Sequence, residues 1–412
     1  MRRVITAGAA VVALGMTTSA QTAAPWNFVE HTVATGLRGG YHVTAADINK
    51  DGRVDLLAVA TGPKVDLVWF ENPLGSDLSA VARSAKVEAP GAKEASWTPH
   101  VMASGFPGMI NADAFDVDRD GYPEVVLQSG FSTTPAKGDG RMILLTKGAD
   151  VNAAWTAKEF DRMPSVHRVR WMDADGSGRK IVVNAPLGGV KGAPPDYRDK
   201  VGIYAYDPRQ AYARASITED DEGVLHGVQV VDWDGNGRES LLSASFMGIH
   251  LHRYNNGKWV RTRLAAGSPD PWPKNGSSDV VVLRTKAGRQ IAAIEPWHGN
   301  HVVVYRGKGE TWDQRTVIDD TLIDGHTLVQ GDLDGDGVDE IVAGYRGGGG
   351  GVNIYRLGTN DTWTKHALAT PDQKSMAAAG CALAHLNDDK RLDLACIGSS
   401  TANLKWYENK AQ

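Results

Sequence analysis

Hydrophobic and polar positions alternate along this chain in short bursts that recur. The fullest burst runs from Asp324 to Gly351, DGHTLVQGDLDGDGVDEIVAGYRGGGGG. An alternating strand at Thr327 to Gln330 enters an acidic turn made of Asp332, Asp334, Asp336, Gly337 and Glu340, and a second strand, Ile341 to Ala343, leaves it. Period-two alternation bounded by Gly and Asp predicts paired strands rather than helices. Equivalent turns begin at Asp47, Asp116, Asp173, Asp232 and, degenerate, at His385. Between Asp232 and Asp332 the gap is about twice the usual spacing, and two alternating strands within 278–304 fill it. The pattern therefore predicts seven units, one without its acidic turn. Such units stack, because none can bury its apolar face alone.

Each unit continues with a third strand, as at 66–70, 202–206, 302–305, 352–355 and 404–407. A fourth opens on Trp97, Trp155, Trp259, Trp312 or Trp363, and 212–217 serves the third unit. The seventh unit stops after its third strand, at Tyr407, while an unclaimed strand of the same type, WNFVEHTVA, stands at 26–34. The expected fold is all-β: a seven-bladed β-propeller of four-stranded blades, closed by the N-terminal strand completing the last blade. Closure removes the open sheet edges. One domain is expected over 21–412.

Composition adds exclusions. With a formal net charge of -5, nothing in the composition points to a basic nucleic-acid groove or a polybasic membrane patch, and a neutral or small ligand is expected. Arg2 and Arg3, an apolar run from Val4 to Met16 and the small residues Thr18, Ser19 and Ala20 predict a signal peptide over 1–20, hence a secreted or periplasmic protein. No stretch is long enough to predict a membrane span. Cys381 and Cys396 fall on neighbouring strands of the last unit, where a bridge is sterically allowed and a free pair equally so. Nothing in the sequence sets the oligomeric state.

The acidic turns place oxygen donors at alternate positions of a tight loop, which suits structural calcium. Three sets are complete: Asp47, Asn49, Asp51 and Asp55; Asp116, Asp118, Asp120 and Glu124; Asp332, Asp334, Asp336 and Glu340. Asp232, Asp234 and Asn236 lack the closing acid, replaced by Ser240, and the set at Asp173 has Ile181 there. The alternative is that Asp, Asn and Gly merely make good turns. These turns resemble FG-GAP (VCBS-type) repeats of integrin-like propellers and of many secreted bacterial proteins. That resemblance implies the fold and leaves function open, since adhesion modules, lectins and polysaccharide lyases share it.

Positions six residues before each turn share one mouth of the ring. They hold Tyr41 beside His42, Ile110 beside Asn111, His167, His226, His326 and Ala379. Second-strand exits bring Trp297, His298, Tyr345, Arg346, Asn184 and Gln128 to Phe131 to the same end, and the long connections 131–141 and 187–200 overhang it. A lone imidazole usually satisfies a backbone group. Several at one repeat position point instead to proton transfer or to a divalent metal.

The segments DGH at Asp324 to His326, EPWHG at Glu295 to Gly299 and GYRG at Tyr345 to Gly348 resemble the propeller domain of aldos-2-ulose dehydratases, which eliminate water from keto sugars. The resemblance implies a lyase or dehydratase performing β-elimination on a keto sugar or glycoside. Its base and acid are expected among His226, His326, His298 and His167. Arg346 or a histidine-held ion would steady the enolate, with Tyr345 as alternative proton donor. Tyr41, His42, Trp297, Arg168 and Asn184 would contact substrate. That family also carries cupin domains for a later isomerisation, absent from this sequence, so elimination alone is expected. A non-catalytic propeller that binds a glycan or protein partner through the same mouth is the alternative.

Overall fold

The computed structural model of the chain describes residues 26–62, 66–73 and 96–410. The expected signal peptide and most of the connection at 74–96 lie outside the described residues. Among those residues, seven four-stranded antiparallel sheets form the blades. Six use four consecutive strands, as in the first: Gly40–Ala46, Asp55–Ala60, Leu67–Glu71 and Thr98–Ala103. The last combines Ala378–Ala384, Asp393–Gly398 and Asn403–Lys410 with Asn27–Thr35 from the other end of the chain. Asn27 faces Lys410 and Thr35 faces Asn403, which closes the ring as the unclaimed strand predicts. A short hairpin of Ser268–Pro269 and Asn275–Gly276 stands between the fourth and fifth blades.

Apolar faces pack between neighbouring blades: Leu57, Val59 and Trp69 of the first share one cluster with Ala112, Val125 and Leu127 of the second. The innermost strands have no strand partner toward the axis, so their backbone groups need side-chain partners. Thr44 Oγ1 donates to Ala112 O at 2.8 Å, and Asp113 Oδ2 accepts from Trp171 N at 2.8 Å. Gln229 serves Val282 and Asp279 serves Leu328 in the same way. The ring is thus stitched blade to blade around an axial cavity. In the last blade Cys381 and Cys396 face each other in register and form a disulfide, which resolves the open choice of the sequence.

The acidic turns lie at the end of the blades away from the histidines. Asp47 accepts from Asp51 N and Gly52 N, and Asp332 from Gly335 N and Gly337 N, so the first acid shapes the loop. The closing acid turns inward: Asp55 accepts from Ile48 N and Asn72 N, Glu124 from Val117 N and Glu340 from Leu333 N. Carboxylate oxygens come within 4.8 Å of one another in Asp116, Asp118 and Glu124, and in Asp332, Asp334 and Asp336, two possible metal sites. An arginine of the third strand pairs with these turns in two blades, Arg253 with Asp234 at 3.0 Å and Arg356 with Asp334 at 2.7 Å.

Burial, helped by Asp334 and Asp336, pushes the Glu340 carboxyl up to about 8, and burial pushes Asp55 up to about 7. A raised folded value means that the proton stabilises the fold below the unfolded value near 4, and that this contribution is lost as pH rises through about 7 and 8. Chelated protein is therefore expected to lose thermal stability between pH 5 and 8.5, and calcium to raise the melting temperature more at pH 8.5. Equal calcium shifts at both pH values, read by scanning calorimetry, would remove these turns as the sites.

Candidate functional site

Four of the mouth residues owe their direction to a slip in strand pairing. In the fourth blade Leu225 faces Ser245 but Gly227 faces Ala244, which leaves His226 unpaired. The same slip leaves His326 unpaired between Gly325 and Thr327, Tyr41 between Gly40 and His42, and Ala379 in the last blade. A bulge of this kind re-aims the extra residue, here toward the axis. His298 arrives separately, on the tight loop after Gly288–Glu295, with a left-handed φ of 50°. Asp324, which meets it, has φ 58°. Such conformations are costly for residues other than glycine and cluster at functional sites.

Ligand nitrogens of His226, His298 and His326 lie within 4.8 Å of one another, and the Nε2 atoms of His226 and His298 are 3.2 Å apart. His226 Nδ1 points at Ser278 O, 3.1 Å away, and His326 Nδ1 at Ala379 O, 2.5 Å away, each on the next blade. A carbonyl oxygen can only accept, so both Nδ1 atoms carry the proton and both Nε2 atoms turn a lone pair inward. His298 Nδ1 lies 3.1 Å from Asp324 Oδ1 and 3.1 Å from an Arg346 nitrogen. When it donates to the carboxylate, its Nε2 joins the other two. Without an ion, a proton on His298 Nε2 would instead be donated to His226.

Burial, with the Arg168 guanidinium next in weight, holds His226 well below the usual imidazole range. Burial and then Arg346 do the same to His326. Burial lowers His298 too, against the Asp324 carboxylate. Three neutral imidazoles with outward N–H groups held by carbonyl or carboxylate fit a divalent transition ion. Beside them, Tyr41 Oη lies 2.9 Å from His167 Nε2 and 3.2 Å from His326 Nε2. Arg168 reaches His167 Nε2 at 3.0 Å and His226 Nε2 at 3.5 Å, is only 7% exposed, and has no carboxylate within 4.0 Å among the described residues. His167, His226 and His326 are buried, while His298, Asp324 and Arg346 are partly open.

Other expected residues are placed elsewhere. Tyr345 packs in an apolar cluster with Ile294, Leu322 and Tyr355, which takes its phenol away from the histidines. Asn184 is fully buried and accepts from Gln128 Nε2 at 2.8 Å, so it does not line the mouth. His42, by contrast, shares an axial cavity of about 260 Å³ with Tyr41, Arg168 and His326. Arg346 makes a two-point ion pair with Asp324, at 3.0 and 2.9 Å, so it orients His298 instead of standing free for an enolate. Ser278, Tyr197, Phe246 and Trp272 were not singled out in the sequence. Phe131 lies 5.6 Å from His167, and Tyr197 and Phe246 lie 5.3 and 5.9 Å from Trp297, whose ring is tilted against His298 at 4.6 Å. Only the long loop at 187–200 offered a signal for Tyr197.

Fold and site together define a β-propeller with a possible transition-metal centre at its axial mouth. Residues 139–308 match the family described as aldos-2-ulose dehydratase, beta-propeller domain, a span that holds His167, Arg168, His226, Trp297 and His298. Over a longer span the chain is similar to the aldos-2-ulose dehydratase of Phanerodontia chrysosporium. The two are 24% identical over 348 residues, covering 75% of this chain and 37% of the fungal protein. This chain thus spans well under half of that relative's length. Among solved structures, an Agrocybe aegerita lectin that recognises non-reducing terminal N-acetylglucosamine overlaps with a TM-score of 0.48, 13% identity and 80% of each chain covered. A Bacillus licheniformis rhamnogalacturonan lyase overlaps with a TM-score of 0.44 and 10% identity, over 93% of this chain and 75% of the other. Among the described residues no helix is long and apolar enough to cross a membrane.

Proposed function

We propose that this chain is an exported carbon–oxygen lyase that performs β-elimination on a keto sugar or keto glycoside at the histidine mouth, with structural calcium in its complete acidic turns. The observation that carries the reading is the convergence of three Nε2 lone pairs beside Tyr41, His167 and Arg168. Distant homology to a dehydratase supports the reaction class. The disulfide and the leader-like start support export.

A divalent ion held by His226, His298 and His326 would supply Lewis-acid polarisation of the substrate carbonyl. The chain's own groups do the rest. Ser278 O, Ala379 O and the Asp324 carboxylate keep the three rings in the tautomer that faces the axis. Arg168, buried between His167 and His226, meets the oxyanion that develops when the neighbouring carbon loses its proton. With the three Nε2 atoms engaged, proton removal and delivery to the departing oxygen fall to Tyr41 and His167, joined at 2.9 Å.

The test is ultraviolet absorbance of the mature protein, loaded with zinc or manganese, against a panel of keto sugars and 3-keto glycosides. Elimination creates a conjugated enone that absorbs where the substrate does not. A rise with any of them is expected. No rise across the panel, together with saturable glycan binding, would replace the lyase by a binding propeller.

A further inference from the structure

The loop at 187–200 and the Ser268–Pro269/Asn275–Gly276 hairpin, on neighbouring blades, are locked together beside the mouth. Trp272, at the hairpin tip, donates its indole N–H to Asp196 O at 2.6 Å. The loop is held by its own bonds, Tyr197 N to Ala193 O at 2.8 Å and Lys191 N to Asp199 Oδ2 at 2.7 Å, so it is a built wall. Its aromatic rings continue outward from the histidines. Trp297 lies 4.6 Å from His298, and both Trp297 and Trp272 rest on the buried Phe246, at 5.9 and 5.0 Å. Both indoles are half-buried. Over Trp272, 4.4 Å away, lies the exposed guanidinium of Arg198, which has no ion pair among the described residues.

An indole face suits the C–H face of a pyranose, and a neighbouring guanidinium suits its hydroxyls. The first indole adjoins a metal-triad imidazole, so a ring on it sits at the reacting position. The second lies about one further ring away, across Phe246. We propose that Trp272 and Arg198 form a second sugar subsite, so that the preferred substrate is a keto glycoside whose second pyranose ring stacks on Trp272, with Trp297 under the ring that reacts. This rests on the lyase reading for its chemistry. The continuity of the wall with His298 carries the choice of occupant.

The experiment compares methyl 3-keto-β-glucoside with 3-keto-cellobiose on the full chain, as wild type, Trp272→Ala and Trp272→Phe. Wild type is expected to favour the disaccharide in kcat/KM by roughly tenfold, mostly through KM. Trp272→Ala should bring the ratio near one, and Trp272→Phe, which keeps an aromatic face, should recover much of it. No preference in wild type, or the same ratio in Trp272→Ala, overturns the subsite while the lyase reading stands. If neither compound is eliminated, the lyase reading falls, and indole fluorescence with plain cellobiose judges the subsite: quenching of wild type that Trp272→Ala loses supports it, and equal traces overturn it. Near-ultraviolet circular dichroism checks that the alanine variant keeps its fold.

Discussion

Alanine at both His226 and His326 is expected to strip the protein of its bound transition ion and to lower elimination by about 10³-fold or more. The magnitude follows from the several kcal/mol of transition-state stabilisation a Lewis acid supplies, at about 1.4 kcal/mol per tenfold. The loss should be cooperative, because His298 alone cannot hold the ion against water. The fold should persist. Ser278 O and Ala379 O each lose a donor, at about 1–3 kcal/mol apiece if water does not replace it, while the interfaces between blades are untouched. Metal content after equilibration with zinc, enone absorbance and a thermal melt read the three quantities separately. Loss of the ion with full elimination retained would move the chemistry to Tyr41 and His167 alone. Retention of both would show that the triad is not the site.

The second large effect is expected at Asp324, which never touches the ion. Asp324→Ala should weaken ion binding by about 10–100-fold, the usual cost of removing a carboxylate that orients a ligating imidazole. Two causes act together: His298 loses the acceptor that holds its Nδ1 proton, and Arg346 is left beside that ring without its counter-charge. The left-handed backbone at this position, φ 58°, adds strain for alanine, whereas asparagine tolerates it and still offers an oxygen to His298. Asp324→Asn should therefore fall between wild type and Asp324→Ala in a zinc competition titration. Affinity unchanged in the alanine variant would mean that the carboxylate only neutralises Arg346.

Removing the ion also bears on acid sensitivity. The lowered values of His226, His298 and His326 mean that the folded state resists protonation there. Their contribution to stability is present above the unfolded value near 6.5 and is lost as pH falls below it toward the folded values. Bound ion competes with the same protons, so metal release and the onset of acid destabilisation are expected in that same interval.

Seven blades, their four-strand composition and the ring closure through Asn27–Thr35 were all legible in the sequence. So was the histidine mouth, because His167, His226 and His326 stand at one offset from their turns. Local chemistry sets these features: alternation sets which face of a strand is buried, Gly and Asp set where it turns, and a constant repeat carries one position to one place in every blade. Three matters were decided only by the tertiary structure. Bulges in strand pairing turn His226 and His326 inward, and register depends on partners across the sheet. The Nδ1 anchors are backbone carbonyls of the following blade, Ser278 and Ala379, and a backbone carbonyl leaves no trace in residue type. Arg346 and Tyr345, adjacent in the chain, part company because one finds Asp324 and the other an apolar seam between blades. Repetition specifies position, and only contact between blades specifies which atom of each side chain is free to act.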